Sequence, residues 1–201
     1  MAAKLKILED KLAAHLKAER DTKRSQELWA AGASLLAATK KGCPCVKVDR
    51  QLKAIQKASG DEDKLVTTIM KTIPKAAWEK GVVTESVLKE QYYKMEKIAL
   101  KVSLVEQEGS PLPVSGIPQI EVDKPPKEPS KDLDTFDLLQ RARFWIERGD
   151  LAMALRYVAS LEGASLVAAE TWLKAARTYL EIRQAAEAVV AHAAALGLQY
   201  I

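Results

Sequence analysis

Cysteine is nearly missing from this 201-residue chain: Cys43 and Cys45 stand two apart around Pro44. A disulfide between such neighbours would be strained, so the pair reads as two free thiols in a turn rather than a disulfide framework. Histidine is as scarce. His15 and His192 lie far from each other and from the cysteines, without the spacing of a zinc site, so no metal-ligand set is expected. Only eleven residues are aromatic, β-branched runs are short and alanine is abundant, which disfavours a sheet-built protein and favours helices. A glycine-rich phosphate loop, a Gly-x-Ser-x-Gly elbow and a His-Glu-x-x-His pair are all absent. No enzyme and no catalytic, cofactor-binding or metal residues are therefore expected. Arg148-Gly149-Asp150 reads as a helix stop followed by a cap.

Long runs are missing too. No apolar stretch approaches the roughly 20 residues that cross a bilayer, and MAAKLKILEDKL carries Glu9 and Asp10 where a secretory leader would be apolar. Blocks of like charge are also lacking. Residues 1–109 hold 21 basic and 15 acidic side chains, and residues 117–201 hold 10 and 12. Lysines alternating with acids read as solvated helix surface, not a nucleic-acid face. A lipid surface or an acidic partner is the lesser alternative.

What is present is helical periodicity. Leu5, Leu8, Leu12 and Leu16 recur at three and four residues along a helix of about 40 residues, flanked by charges, as in the end of a longer coiled coil. With little core to pack on, this stripe predicts self-association. Leu28, Trp29, Leu35 and Leu36 then enter a globular core, and Gly42 and Pro44 stop the helix. Val46 to Ala58 predicts a short helix. Ser59 with Glu62 is a capping-box signal for the next, which Pro74 interrupts, Trp78 plugs and Gly81 ends. Thr84 opens a long helix with Val87, Leu88, Tyr92, Met95, Ile98, Ala99, Val102 and Val105 inward, closed by Gly109.

Six of the eight prolines fall between Ser110 and Pro129. After them Asp134 caps a helix ending at Gly149, and Asp150 caps another ending at Gly163. Ser165 starts a third, and Ile182 to Leu196 forms a last segment. The short joints set neighbouring helices antiparallel. The expected fold is all-α, an N-terminal coiled-coil helix running into an antiparallel helical bundle. Its divisions are 1–27, 28–109, a proline-rich linker at 110–131, and 132–201.

The run ERGDLAMALRYVASLEGASLVAAETWLKAARTYLE resembles the C-terminal domain of the mitofilin family, core subunits of the MICOS complex of the mitochondrial inner membrane. The carrying residues are Arg141 to Leu151, Leu161 to Gly163, Trp172 to Arg177, Leu180 and Glu181. LWAAGASLLAA matches more loosely the start of the family's globular region. The resemblance implies a scaffold facing the intermembrane space. It would shape crista junctions, form homodimers or higher oligomers, and bind a small subunit of coiled-coil-helix-coiled-coil-helix (CHCH) fold. Where mitofilins carry an amphipathic membrane-binding helix, this chain has Val114-Ser115-Gly116-Ile117. Ser115-Gly116 is what an engineered replacement of that helix looks like, so lipid binding through it belongs to the parent protein. Partner-binding candidates are Phe136, Leu139, Phe144 and Trp145, with Tyr92, Tyr93 and the terminal Tyr200. A tetratricopeptide-like adaptor binding a peptide is the alternative, although its repeat lacks a second copy.

Overall fold

The computed structural model describes residues 2–40, 44–60, 63–108, 129 and 133–198. Its elements are α1 (Ala2–Lys40), β1 (Cys45–Val46), α2 (Asp49–Ser59), α3 (Lys64–Thr72), α4 (Lys75–Lys80), β2 (Val82–Val83), α5 (Glu85–Glu108), α6 (Thr135–Glu147), α7 (Leu151–Ala159) and α8 (Gly163–Leu198). The class is all-α; β1 and β2 pair only two residues each. Two compact units divide the chain. The first joins both ends, Met1–Val82 and Glu181–Ile201, and the second is Val83–Leu180. The C-terminal segment 132–201 thus contributes to both.

In the first unit α1 supplies Leu28 and Leu35, α2 Leu52 and Ile55, and α3 Val66 and Met70 to the core. The C-terminal half of α8 adds Ile182, Ala186, Val189 and Ala193. Its small residues admit close helix packing. A Cβ built on Gly32 of α1 would lie 2.7 Å from Val190 Cγ2, so this position is fitted to hydrogen. Gly81 ends α4 at φ +82°, a conformation costly for other residues. A Cβ there would also meet the Val46 carbonyl oxygen at 2.6 Å.

In the second unit the helix starts follow the sequence signals. The Asp134 carboxylate accepts from Asp137 N–H at 2.7 Å, and Asp150 accepts from Met153 N–H at 3.0 Å. Between these caps Gly149 takes φ +81° while Asp150 N–H donates to the Trp145 carbonyl, a glycine-centred stop that turns α6 into α7. Along α8, three side chains seven residues apart bond to α5. Ser165 Oγ donates to the Ala99 carbonyl at 3.0 Å, Trp172 Nε1 to the Leu88 carbonyl at 2.9 Å, and Tyr179 Oη to Glu85 Oε2 at 2.9 Å.

Several expectations need correction. The helix expected from Val46 starts at Asp49, because Val46 is held in β1. Ser59 does not open α3. It closes α2, its hydroxyl donating to the Gln56 carbonyl, and Asp63 caps α3 by accepting from Val66 N–H. Glu62 and Gly42 lie outside the described residues. Trp78 is half-buried, and the fully enclosed residue of α4 is Ala77. Trp29 is 51% exposed because the core face of α1 passes through Ser25, Leu28, Leu35 and Thr39. Ile98 and Val105 likewise face solvent, while Glu96, Leu100 and Ser103 turn inward beside Tyr92 and Ala99. The two helices expected from Ser165 onward are one, since no glycine or proline stands between Gly163 and Gly197 to stop it.

Candidate interaction surfaces

The N-terminal part of α1 carries an apolar stripe with no core beneath it. Leu8, Leu12 and Leu16 are 65%, 62% and 44% exposed, and the residues from Lys6 to Lys17 are all exposed. The Leu5 side chain lies outside the described residues. Turning about 100° per residue, the leucines fall on roughly the opposite side of α1 from the Ser25, Leu28, Leu35 and Thr39 stripe. They are therefore a second face, not a continuation of the core face. Leucines repeating at three and four residues on an exposed helix are the pattern of a coiled-coil seam.

A second cluster lies on α5 and α6. The Tyr92 hydroxyl donates to the Leu139 carbonyl at 2.6 Å, and both residues are completely buried. In this fold these two candidates fill the core and offer a partner no surface. Trp145 is nearly buried and meets Phe144 edge-on at 5.3 Å. Phe136, Phe144 and Tyr93 are half-buried. Around them the arginines, which sequence reasoning did not place on a surface, organise the edge. Arg143 lies 5.3 Å over the Tyr93 ring, 3.6 Å from Glu96 and 3.1 Å from Glu147. Arg148 stacks 3.4 Å from the centre of the Phe144 ring. Burial pushes the Glu96 carboxyl above its ordinary value, against the opposing pull of Arg143. No sequence signal marked Glu96, because a glutamate in a charged helix reads as solvated.

A polar cluster joins three elements of the first unit. Asp63 bonds His192 Nε2 at 2.9 Å, with Arg24 3.9 Å away. Burial alone would raise the Asp63 pKa, but the Val66 N–H, His192 and Arg24 together hold it below its ordinary value. No third acid–base group completes a catalytic relay there, and no group of three or more His, Cys, Asp or Glu able to hold a metal exists among the described residues. Cys45 is exposed, its thiol donating to the Lys80 carbonyl at 3.0 Å. Cys43, Ser115, Gly116 and Tyr200 lie outside the described residues. Among those described, no helix is long and apolar enough to cross a membrane.

Exposed apolar and cation-stacked faces thus lie on an all-α frame. The chain belongs to the mitofilin family, whose profile, described as a mitochondrial inner membrane protein, matches residues 1–194. The MICOS complex subunit Mic60 of Drosophila melanogaster is 36% identical over 222 residues, covering 100% of this chain and 30% of the fly protein. MICOS subunits of the fungi Emericella nidulans and Fusarium vanettenii are each 26% identical, over 143 and 145 residues. They pair with 70% and 72% of this chain, and each match covers 23% of the fungal protein. This chain thus spans less than a third of the length of these relatives. No solved structure matches it significantly. The family is a structural one, and the chain is not an enzyme.

Proposed function

We propose that this chain is a self-associating scaffold module of a crista-junction organiser, working on the intermembrane-space side of the inner membrane. The observation that carries the reading is the leucine face of α1, exposed and turned away from the chain's own core. A second copy is the simplest cover for a stripe of that spacing. The half-buried Phe136, Phe144 and Tyr93, with Trp145 edge-on to Phe144, Arg143 over Tyr93 and Arg148 over Phe144, suit a helical partner such as a CHCH-domain subunit. The 110–131 segment stands where a parent protein would carry its amphipathic membrane helix, with Ser115-Gly116 as the replacement.

Light scattering over a dilution series tests self-association, comparing the whole chain, a chain starting at Ala18, and Leu8→Lys with Leu12→Lys. The whole chain is expected to be a dimer or larger, and both variants to fall to a smaller species with unchanged melting temperature. A whole chain that is monomeric at every concentration overturns the reading and favours the peptide-binding adaptor.

A further inference from the structure

Within the first unit, the stretch from α2 to β2 separates its charges in a way the sequence does not reveal. Between residues 44 and 83 the described chain holds eight cations, all exposed, and three acids. Asp63 is enclosed with His192 and Arg24, and Asp49 is tied to Lys53 at 2.8 Å, leaving Glu79. The sequence adds Asp61 and Glu62, which lie outside the described residues. Arg50 and Lys57 sit seven residues apart on α2, opposite its buried Leu52, Ile55 and Ser59. Lys64 and Lys71 sit seven apart on α3, opposite its buried Val66 and Met70. None of these four forms an ion pair among the described residues. Of the three described acids, one is enclosed and one is paired with Lys53, while Arg50, Lys57, Lys64 and Lys71 stay exposed and outside any ion pair among the described residues.

We infer that the outward stripes of α2 and α3 form a face that docks electrostatically on a bilayer carrying anionic headgroups. Unpaired lysines and arginines attract such a surface additively, without insertion of apolar side chains, and the attraction falls off within a Debye length. A bilayer is the occupant of choice because the matching family is described as a mitochondrial inner membrane protein and the cationic stripes complement anionic headgroups. The inference rests on that membrane setting, not on self-association, and it is separate from any amphipathic helix at 110–131.

The test is flotation of the whole chain with vesicles of phosphatidylcholine alone and with vesicles containing phosphatidylglycerol, at low and at high salt. Arg50→Glu, Lys57→Glu, Lys64→Glu and Lys71→Glu together form one variant. The same charge reversal at Lys97, Lys101, Lys174 and Arg177 of the second unit forms the control. The parent chain should float only with anionic vesicles and release in salt. The α2–α3 variant should lose about tenfold or more in binding, while the control retains most of it. If the glutamate variant fails to melt cooperatively, glutamine at the same four positions gives the same comparison. No preference for anionic vesicles, equal loss in the control, or full binding by the variant overturns the inference. So does tighter binding to polyglutamate than to vesicles, which would assign the face to an acidic protein. Light scattering on the same samples reads self-association separately, so either claim can fail alone.

Discussion

Two buried carboxyls give the chain opposite responses to pH. Asp63 is held below its ordinary value of 3.8: burial raises it, but its bonds to Val66 N–H and His192 and the nearby Arg24 outweigh that. Its contribution to stability is therefore present above 3.8 and lost as pH falls below that value toward the folded pKa. Glu96 is the reverse. Burial raises it above 4.5, so its contribution is full below 4.5 and declines as pH climbs through the folded pKa. Urea midpoints from pH 3 to 8 should show Glu96→Gln gaining on the parent as pH rises above 4.5, and Asp63→Asn losing the acid-side slope. Parallel curves for parent and variants would remove both assignments. At Gly32 the space, not charge, decides. Alanine gains about 1 kcal/mol in helix propensity, but its methyl would enter the Val190 side chain, and overpacking costs about 1–3 kcal/mol. Gly32→Ala should be net destabilising by about 1 kcal/mol, and adding Val190→Ala should reverse the sign of its effect. Stabilisation by the single change would refute the close packing.

At the scale of the element, α8 shows how a long helix is fixed in register. Ser165, Trp172 and Tyr179, at seven-residue intervals, reach the Ala99 and Leu88 carbonyls and the Glu85 carboxylate. The carbonyls belong to α5 and keep their helical bonds, so losing the Ser165 donor should cost only about 0.5–1.5 kcal/mol. Trp172→Phe loses a donor and also leaves volume unfilled, so about 2–3 kcal/mol is expected. Chemical denaturation that ranks Ser165→Ala above Trp172→Phe would contradict that order. Signals of this tertiary kind were not legible in the sequence, whereas local ones were. Asp134 and Asp150 could be read as caps because capping is decided within four residues. Ser59 with Glu62 misled because the competing cap, Asp63, stands beside them with an equally good local pattern. Trp29, Ile98 and Val105 read as core because they are apolar, but which side of a helix is covered depends on what packs there. The apolar stripe of Leu8, Leu12 and Leu16 was legible as a seam. That it lies on the opposite side of α1 from the core stripe became visible only with the fold.

For the whole molecule the telling fact is how the chain is shared between its units. The second unit is one continuous stretch, Val83–Leu180, whereas the first needs both ends of the chain. Within the first unit, the part of α8 after Leu180 supplies Ile182, Ala186, Val189 and Ala193 to the core, and His192 to Asp63. Without it, Gly32, Leu28 and Leu35 of α1 would face water and Asp63 would lose a partner. Closing a loop of about 100 residues to bring these ends together costs only slightly more than closing a short one, so the arrangement depends on the apolar surface it buries. A chain ending at Leu180 should therefore unfold selectively. Amide exchange in α2 and α3, and in α1 from Ser25 to Thr39, should rise toward that of an unfolded chain. The second unit, with Tyr92, Trp172 and Tyr179 in place, should keep its protection and its near-ultraviolet circular dichroism. Retained protection around Leu28 and Leu35 would mean that the first unit is built without the C-terminal helix. Simultaneous loss in both units would mean that the chain folds as one cooperative body, and the division into two units would fail.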